Sequence, residues 1–502
     1  MKATSEQRAC LDAFNAGGSL RIEAAAGSGK TTVLRYIVHR GFLDGRALYT
    51  TFGKKNIEDA TARFPLNKID VRTNHSLAFR AIGGSWQREG RLTNRVSPGE
   101  LQSLMGWSDN TFAPHANGRT GSHLVLATLD LFLQSSSDQI TAEHAMRVVA
   151  RRVRLPAEAV RFAIKIATFA REVWSRMMKR GDAMKITHDC YLKAWALTRP
   201  QLGYHHIFLD EAQDTSELMV GLLSNQEDCQ LICVGDRHQA IYGWRGAINA
   251  MDRFDTDATA HLTQSFRFGP AIAYAANAVL AEFLESPLRL RGFDSIPSTI
   301  APLDNPFCIL ARTNASLFGA LVGRLLSHPN DRLGVVGGVE DMERLVAGAE
   351  ALMRHERTWV PDLAEFAHWG EVVAASEEEA YAFLLPLVDL VSTYGTAALR
   401  GFLAKVKGNE RSEVTCAQVF STVHKAKGRE FDTVRLCDDF QAPPDPGDQE
   451  TVWDPEEGNL LYVAVTRARR TLDISQCSSA SIALAMHGRK ARPSTPLAQL
   501  RN

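Results

Sequence analysis

The stretch Arg21–Leu34, RIEAAAGSGKTTVL, decides the fold. Leu20 to Ala25 form a short apolar run of strand type, Ala26 to Gly29 a tight turn, and Lys30 to Arg40 carry helical periodicity. A strand that enters a helix through such a turn aims the free backbone N–H groups of the helix N-terminus at one point. That point suits an anion. Gly27 and Gly29 let the backbone curl around a triphosphate, with Ala26, Ser28 and Thr32 completing the cradle, while Lys30 supplies a point charge and the Thr31 hydroxyl a ligand for Mg²⁺. The strict pattern G-x-x-x-x-G-K-[ST] asks for glycine at position 24, where this chain has Ala24.

Around this stretch, strand and helix alternate. RALYTTF (Arg46 to Phe52) and IDVRTN read as strands followed by helices, which implies a parallel α/β sheet whose carboxyl ends line a ligand crevice. HHIFLDEAQDT sets an apolar strand before Asp210 and Glu211. Adjacent carboxylates at a strand end can divide the labour of phosphoryl transfer to water: Asp210 holds Mg²⁺ and Glu211 orients and deprotonates the water. Leu231 to Val234 make a further strand that leads into GDRHQAIYGWRGA. There Gln239 is placed to sense a γ-phosphate, and Tyr242, Trp244 and Arg245 offer aromatic and cationic groups on which a base can stack. Upstream, TSEQRACLDAF is a capped amphipathic helix that brings Gln7 close to the loop, where a glutamine amide can read both edges of adenine.

Composition limits the alternatives. The 502 residues are 45% hydrophobic and 23% charged, ordinary for a globular chain, and 57 Lys and Arg balance 57 Asp and Glu. A nucleic-acid partner must therefore be held by local basic surface. From Glu143 to Lys185 there are eleven Lys or Arg against four Asp or Glu, and Arg147, Arg151, Arg154, Arg161 and Lys165 recur at spacings that share one helical face if Pro156 only kinks or restarts the helix. The eight cysteines lack C-x-x-C pairs and read as reduced thiols. The N-terminus has no signal pattern and no apolar run reaches spanning length, so a cytoplasmic, nucleoid-associated location with no membrane contact is expected.

These segments together resemble a UvrD/Rep-type superfamily 1 DNA helicase. AAAGSGKTT, LDEAQDT and VGDRHQAIYGWRGA match its first large motifs, and Ala24 is normal there. HLTQSFRF is similar to the fourth, FSTVHKAKGREF to the fifth and LLYVAVTRARR to the sixth, all in the family's order. The resemblance implies that Phe266 stacks on adenine, that Arg267 and Arg467 reach the γ-phosphate, and that Gly428 and Glu430 bind near the ribose. It also implies that ATP sits between two motor domains, and that single-stranded DNA touches Thr51, Phe52, His75, Tyr242, Trp244, Arg245, Thr422 and His424. ITHDCYLKAW, VHKAKGREFDTV and NLLYVAVTRAR look most like the F-box DNA helicase branch. The chain departs from that branch at its start, since Gln7 leaves no room for an F-box upstream, and a ubiquitin-ligase role is not implied.

The expected architecture is α/β: two RecA-like parallel-sheet motor domains, each interrupted by a helical insertion. The first takes residues 1–85 and 200–262 around an insertion at 86–199, whose early part WQREGRLTNRVSPGELQSLMGWSDNTFAPHANGRTG reads as loop-rich. The second takes 263–353 and 416–502 around a short insertion at 354–415, whose acidic run Glu377 to Glu379 reads as a solvated helix face. The resemblance implies an ATP- and Mg²⁺-dependent helicase, 3′-to-5′, in DNA repair or recombination. It would act as a monomer on single-stranded or tailed duplex DNA, with a repair, recombination or defence protein as partner. Two other readings stay open: a translocase that strips proteins from DNA, and the motor subunit of a complex with a separate nuclease. The tail after Arg470 holds no cluster of nuclease carboxylates.

Overall fold

In the computed structural model, residues 3–51, 53–150, 153, 155–243, 249–407, 415–444 and 453–491 are described. The chain divides into two units, Met1–Ala24 with Gly29–Leu262, and Ala25–Ser28 with Thr263–Asn502.

The first unit is built on a parallel sheet in the order β3-β2-β4-β5-β1-β6. Its strands are β1 (Leu20–Ala24), β2 (Ala47–Thr51), β3 (Ile69–Thr73), β4 (His206–Asp210), β5 (Gln230–Gly235) and β6 (Ala258–Leu262). β2 and β4 are buried along their whole length, as expected of interior parallel strands covered on both faces. The period of two sorts their side chains. Tyr49, Phe208, Ile232 and Val234 join Leu20 and Ile22 under the helices Ser5–Asn15 and Lys30–Arg40, while Leu48, Ile207, Leu209, Leu231 and Cys233 face the other way. A one-residue slip would exchange the two sets, so burial fixes the register. Thr51 lies opposite both Thr73 and Asp210, and Glu23 opposite Gly235, which brings the carboxyl ends to one edge.

The second sheet face is covered by the helices of residues 86–199. Gly118–Gln134 and Pro156–Met178 are the longest, and their apolar faces, through Leu124, Leu129, Phe132, Phe162 and Ile166, are continuous with Ile207 and Leu209 in one core. Each such large side chain contributes about 1.5–3 kcal/mol on burial. The stretch read as loop-rich contains a helix, Pro98–Met105, capped by Ser97 Oγ accepting from Glu100 N and closed by Gly106 in the left-handed region. Its signature, Ser then Pro then Glu, was visible in the sequence. The helix Ala142–Val149 ends before Pro156 opens a new one, so Pro156 restarts the helix. Arg147 and the pair Arg161 and Lys165 thus stand on different helices, and Arg151 and Arg154 lie outside the described residues.

The second unit repeats the plan, with a parallel sheet in the order β7-β12-β11-β8-β10-β9. The strands are β7 (Thr299–Ile300), β8 (Cys308–Ala311), β9 (Leu333–Val335), β10 (Gln418–Thr422), β11 (Phe431–Leu436) and β12 (Ala468–Asp473). Helices Trp369–Ala375 and Leu385–Val406 share a core with β8, β9 and β10 through Val372, Leu387, Leu399, Ile309, Val335 and Phe420. Glu377 and Glu378 are exposed, but in a turn and not on an α-helix. One segment, Tyr381–Val406, is long and apolar enough to cross a membrane by length and composition (mean hydropathy 1.5), contrary to the expectation from sequence. Its helix is broken at Gly395 (φ 70°, ψ 157°), and Leu387, Val388, Leu399 and Leu403 pack into the core, although only 33% of its apolar window is buried.

Candidate nucleotide and nucleic-acid sites

The helix Lys30–Arg40 starts after Gly29 at φ 86° and has no acidic residue in its first turn, so its N-terminal N–H groups have no carboxylate of their own to meet. That leaves the helix end for an outside anion. Gly27 also sits in the left-handed region, at φ 72°. In the turn, Ser28 Oγ is buried with no hydrogen-bond partner among the described residues, which is what a loop shaped for phosphate oxygens presents without them. Thr32 follows in the first turn of the helix, 3.5 Å from the place a Gly29 Cβ would take. The residues present thus fit a nucleoside triphosphate.

At the neighbouring strand ends the charges interlock. Lys30 Nζ lies 2.8 Å from Glu211 Oε2, and the Thr31 hydroxyl donates to Asp210 Oδ2 at 2.9 Å. Tyr49, one turn of pleat before Thr51, donates its hydroxyl to the same Asp210 oxygen at 2.7 Å. Burial, then the like charge of Glu211, pushes the Asp210 carboxyl up to about 6, against the pull of Tyr49, Lys30 and Thr31. For Lys30, burial acts to lower its pKa, but Glu211, Asp236 and Asp210 win and hold it above the ordinary lysine value. A buried carboxylate beside a hydroxyl is a fitting half-shell for Mg²⁺, which keeps waters and takes the rest from phosphate.

Glu211 adopts φ 54°, unusual for a residue with a Cβ. Its carboxylate accepts from Gln213 Nε2 at 2.6 Å, and Gln213 Oε1 accepts from Asp236 N at 3.0 Å. Asp236 in turn accepts from Gln239 Nε2 at 2.6 Å. A hydrogen-bonded line therefore runs from the expected base, Glu211, to the expected sensor, Gln239. Sequence reasoning missed Tyr49 and Gln213. Their signal was a polar atom within a strand or turn that is otherwise buried. Gln7 is largely buried, but its Oε1 accepts from Thr4 N at 3.2 Å in a capping box, so in this conformation one end of its amide serves the helix.

The second unit, to which Ala26 and Gly27 belong by their contacts, carries the other nucleotide candidates. Ala26 N donates to the Tyr462 hydroxyl at 3.1 Å and Phe266 N to Gly27 O at 2.8 Å. A Cβ at Gly27 would stand 2.5 Å from Ser265 Oγ, so glycine is needed for the approach as well as for φ. The Phe266 ring is 38% exposed, 5.5 Å from that of Phe293, and keeps an open face. Arg267 pairs with Glu430 at 2.9 Å and donates to Thr466 O at 3.2 Å. Gly428 is left-handed at φ 79° in the turn before β11. Arg467 is fully buried, its guanidinium donating to Val463 O, Arg429 O and Thr466 Oγ1 at 2.9–3.1 Å. In this conformation its donors tie the end of the helix Pro455–Val465 to the turn before β11.

Of the nucleic-acid candidates, Thr51 is completely buried at the end of β2, and its Oγ1 has no partner among the described residues. His75 Nε2 hydrogen-bonds Asp189 Oδ1 at 2.8 Å, a partner that sequence reasoning did not identify. Tyr242 is half-buried. In the second unit Thr422 caps the short helix Val423–Ala426, on which His424 is half-buried. Phe52, Trp244 and Arg245 lie outside the described residues.

Residues 3–259 match the UvrD/REP helicase N-terminal domain, and residues 392–479 the UvrD-like helicase C-terminal domain. The chain belongs to the UvrD/Rep helicase family. Within it, F-box DNA helicase 1 of Gallus gallus is 31% identical over 97% of this chain and 50% of its own length. F-box DNA helicase protein 1 of Schizosaccharomyces pombe is 28% identical over 93% of this chain and 57% of its own. ATP-dependent DNA helicase PcrA of Leuconostoc citreum is 28% identical over 52% of this chain and 37% of its own. This UvrD/Rep family member thus spans about half the length of the F-box helicases it matches.

Proposed function

We propose that the chain is an ATP-driven DNA helicase that moves 3′-to-5′ on single-stranded DNA, in repair or recombination. The observation that carries this reading is the interlocked set Lys30–Glu211 and Thr31–Asp210 at the end of a phosphate-type loop, in a member of the UvrD/Rep helicase family. Bound Mg²⁺ supplies charge neutralisation at the phosphates. Thr31 and Asp210 would hold it. Lys30 exchanges its Glu211 partner for a phosphate oxygen, and this leaves the Glu211 carboxylate free to accept a proton from water. Gln213 keeps that carboxylate oriented, and its link through Asp236 to Gln239 makes the orientation sensitive to what Gln239 touches. Phe266 and Gln7 are assigned to adenine, Gly428 and Glu430 to the ribose side, and Arg267 and Arg467 to transition-state charge. For Arg467 this requires exchange of its present carbonyl partners. The test is ATP hydrolysis with and without single strands, together with unwinding of duplexes tailed at either the 3′ or the 5′ end. DNA-stimulated hydrolysis with unwinding of 3′-tailed duplexes alone is expected; hydrolysis indifferent to DNA overturns the reading.

A further inference from the structure

The first unit contains a recess of about 490 Å³ that none of the roles above uses, walled by the helix Gly118–Gln134, residues 94–98 and the start of the helix His188–Ala196. It lies in the size range of sites for small organic groups, roughly 300–1,000 Å³. Its lining is of the same kind: Val96, Leu126, Leu129 and Leu133 give apolar walls, and a few polar groups converge between them. Gln134 and Asp189 line both this recess and a second, water-sized one among Thr51, His75 and Thr215, at the strand ends where single-stranded DNA is expected. The larger recess is therefore a side chamber of the strand-end crevice.

Two polar groups along these recesses have no hydrogen-bond partner among the described residues. Thr51 Oγ1, in the lining of the smaller recess, is wholly buried and has no hydrogen-bond partner among the described residues. Asp130 lines the larger chamber between these apolar walls and is itself exposed, and no hydrogen bond or ion pair to its carboxylate is found among the described residues, so it is open to an incoming donor. Those walls, then the like charge of Asp189, raise its pKa to about 6, while Arg95 pulls it down. The charged lining bears on what can enter: Asp130 and Asp189 stand with Arg95 and His123, and since Asp189 is already bonded to His75, Asp130 is the carboxylate left for an incoming donor. A phosphate is repelled, whereas a flat group carrying an amine is accepted.

We propose that this chamber admits a nucleobase of the bound single strand, with its exocyclic amine donating to Asp130. The inference rests on the single-strand reading given above. Cytosine presents an amine at the position where thymine carries a carbonyl oxygen, and a carboxylate pairs with the first and repels the second. The chamber therefore gives the motor a preference among bases at one position of the strand.

The experiment measures affinities of the full chain for matched deoxycytidine and deoxythymidine homo-oligonucleotides, before and after Asp130→Ala. Asp130 has no described partner to lose, so folding should survive. The expected result is a loss of roughly tenfold for the cytidine strand and no change for the thymidine strand. Ala127→Phe, which fills the chamber from its wall, should shift the ratio of the two affinities in the same direction. If the ratio is unchanged in both variants, or both strands weaken equally, the inference is overturned. If the unaltered chain binds neither strand, the single-strand reading itself has failed, and the inference with it.

Discussion

Lys30 and Glu211 neutralise each other across 2.8 Å, so the cation expected for the phosphates and the carboxylate expected for the water hold one another in check. Replacing Glu211 by Gln removes both the base and the anionic partner of Lys30. ATP affinity should be kept or rise, and steady-state hydrolysis should fall at least 100-fold, since general-base catalysis contributes about 10²–10⁴. Nucleotide binding by fluorescence alongside turnover checks this; near-normal turnover would sink the assignment.

Arg267 is reached by solvent and bonded to Glu430, whereas Arg467 is wholly enclosed. If both stabilise transition-state charge, Arg267→Ala should lower turnover on the order of 10³-fold with little change in melting temperature. Arg267→Lys should not restore it, because lysine lacks the planar fork. Arg467→Ala should lower both turnover and melting temperature, since three acceptors lose their donor at once. A loss below about tenfold for Arg267→Ala would mark it as a structural ion pair.

Lys193 is another enclosed cation, fully buried, donating to Ser135 O and Ser137 O at 2.8 and 2.7 Å and lying 4.2 Å over the Phe132 ring. Burial lowers its pKa to about 8. A lysine with a depressed folded value binds fewer protons folded than unfolded between about 8 and 10.5, so its contribution to stability rises with pH across that window. Urea denaturation at pH 7.5 and 9.5 should show the gap between the native chain and Lys193→Met widening in favour of the native chain, by on the order of 2 kcal/mol. A constant gap would mean that the ammonium is not desolvated.

Trp244, read from sequence as a base-stacking platform, calls for its own test. Trp244→Ala should weaken single-strand binding by roughly 1–3 kcal/mol and spare hydrolysis without DNA. Unfolding or loss of ATP binding would instead make it a core residue.

What could be read from the sequence follows the range of the interactions. The loop between β1 and its helix is punctuated by Gly27, Gly29 and Lys30, and the carboxylates Asp210 and Glu211 stand at the end of an apolar run, so local pattern was enough to find them. Tyr49 reaches Asp210 across 161 positions of chain, and Asp189 reaches His75 across 114. No local period encodes such pairs. The break at Gly395 shows the opposite failure: a run of apolar side chains is continuous in composition while the backbone is not.

The single core that joins the helices of residues 86–199 to β2, β4 and β5 bears on how this motor can be altered. Excising those helices would bare Leu48, Ile207, Leu209 and Leu231 to water, and Ile207→Ala alone should cost about 2–5 kcal/mol. The insertion is therefore no detachable cassette. An accessory region grafted from another motor would arrive with side chains cut for a different sheet, so exchange by recombination should fail unless the strands travel with the helices.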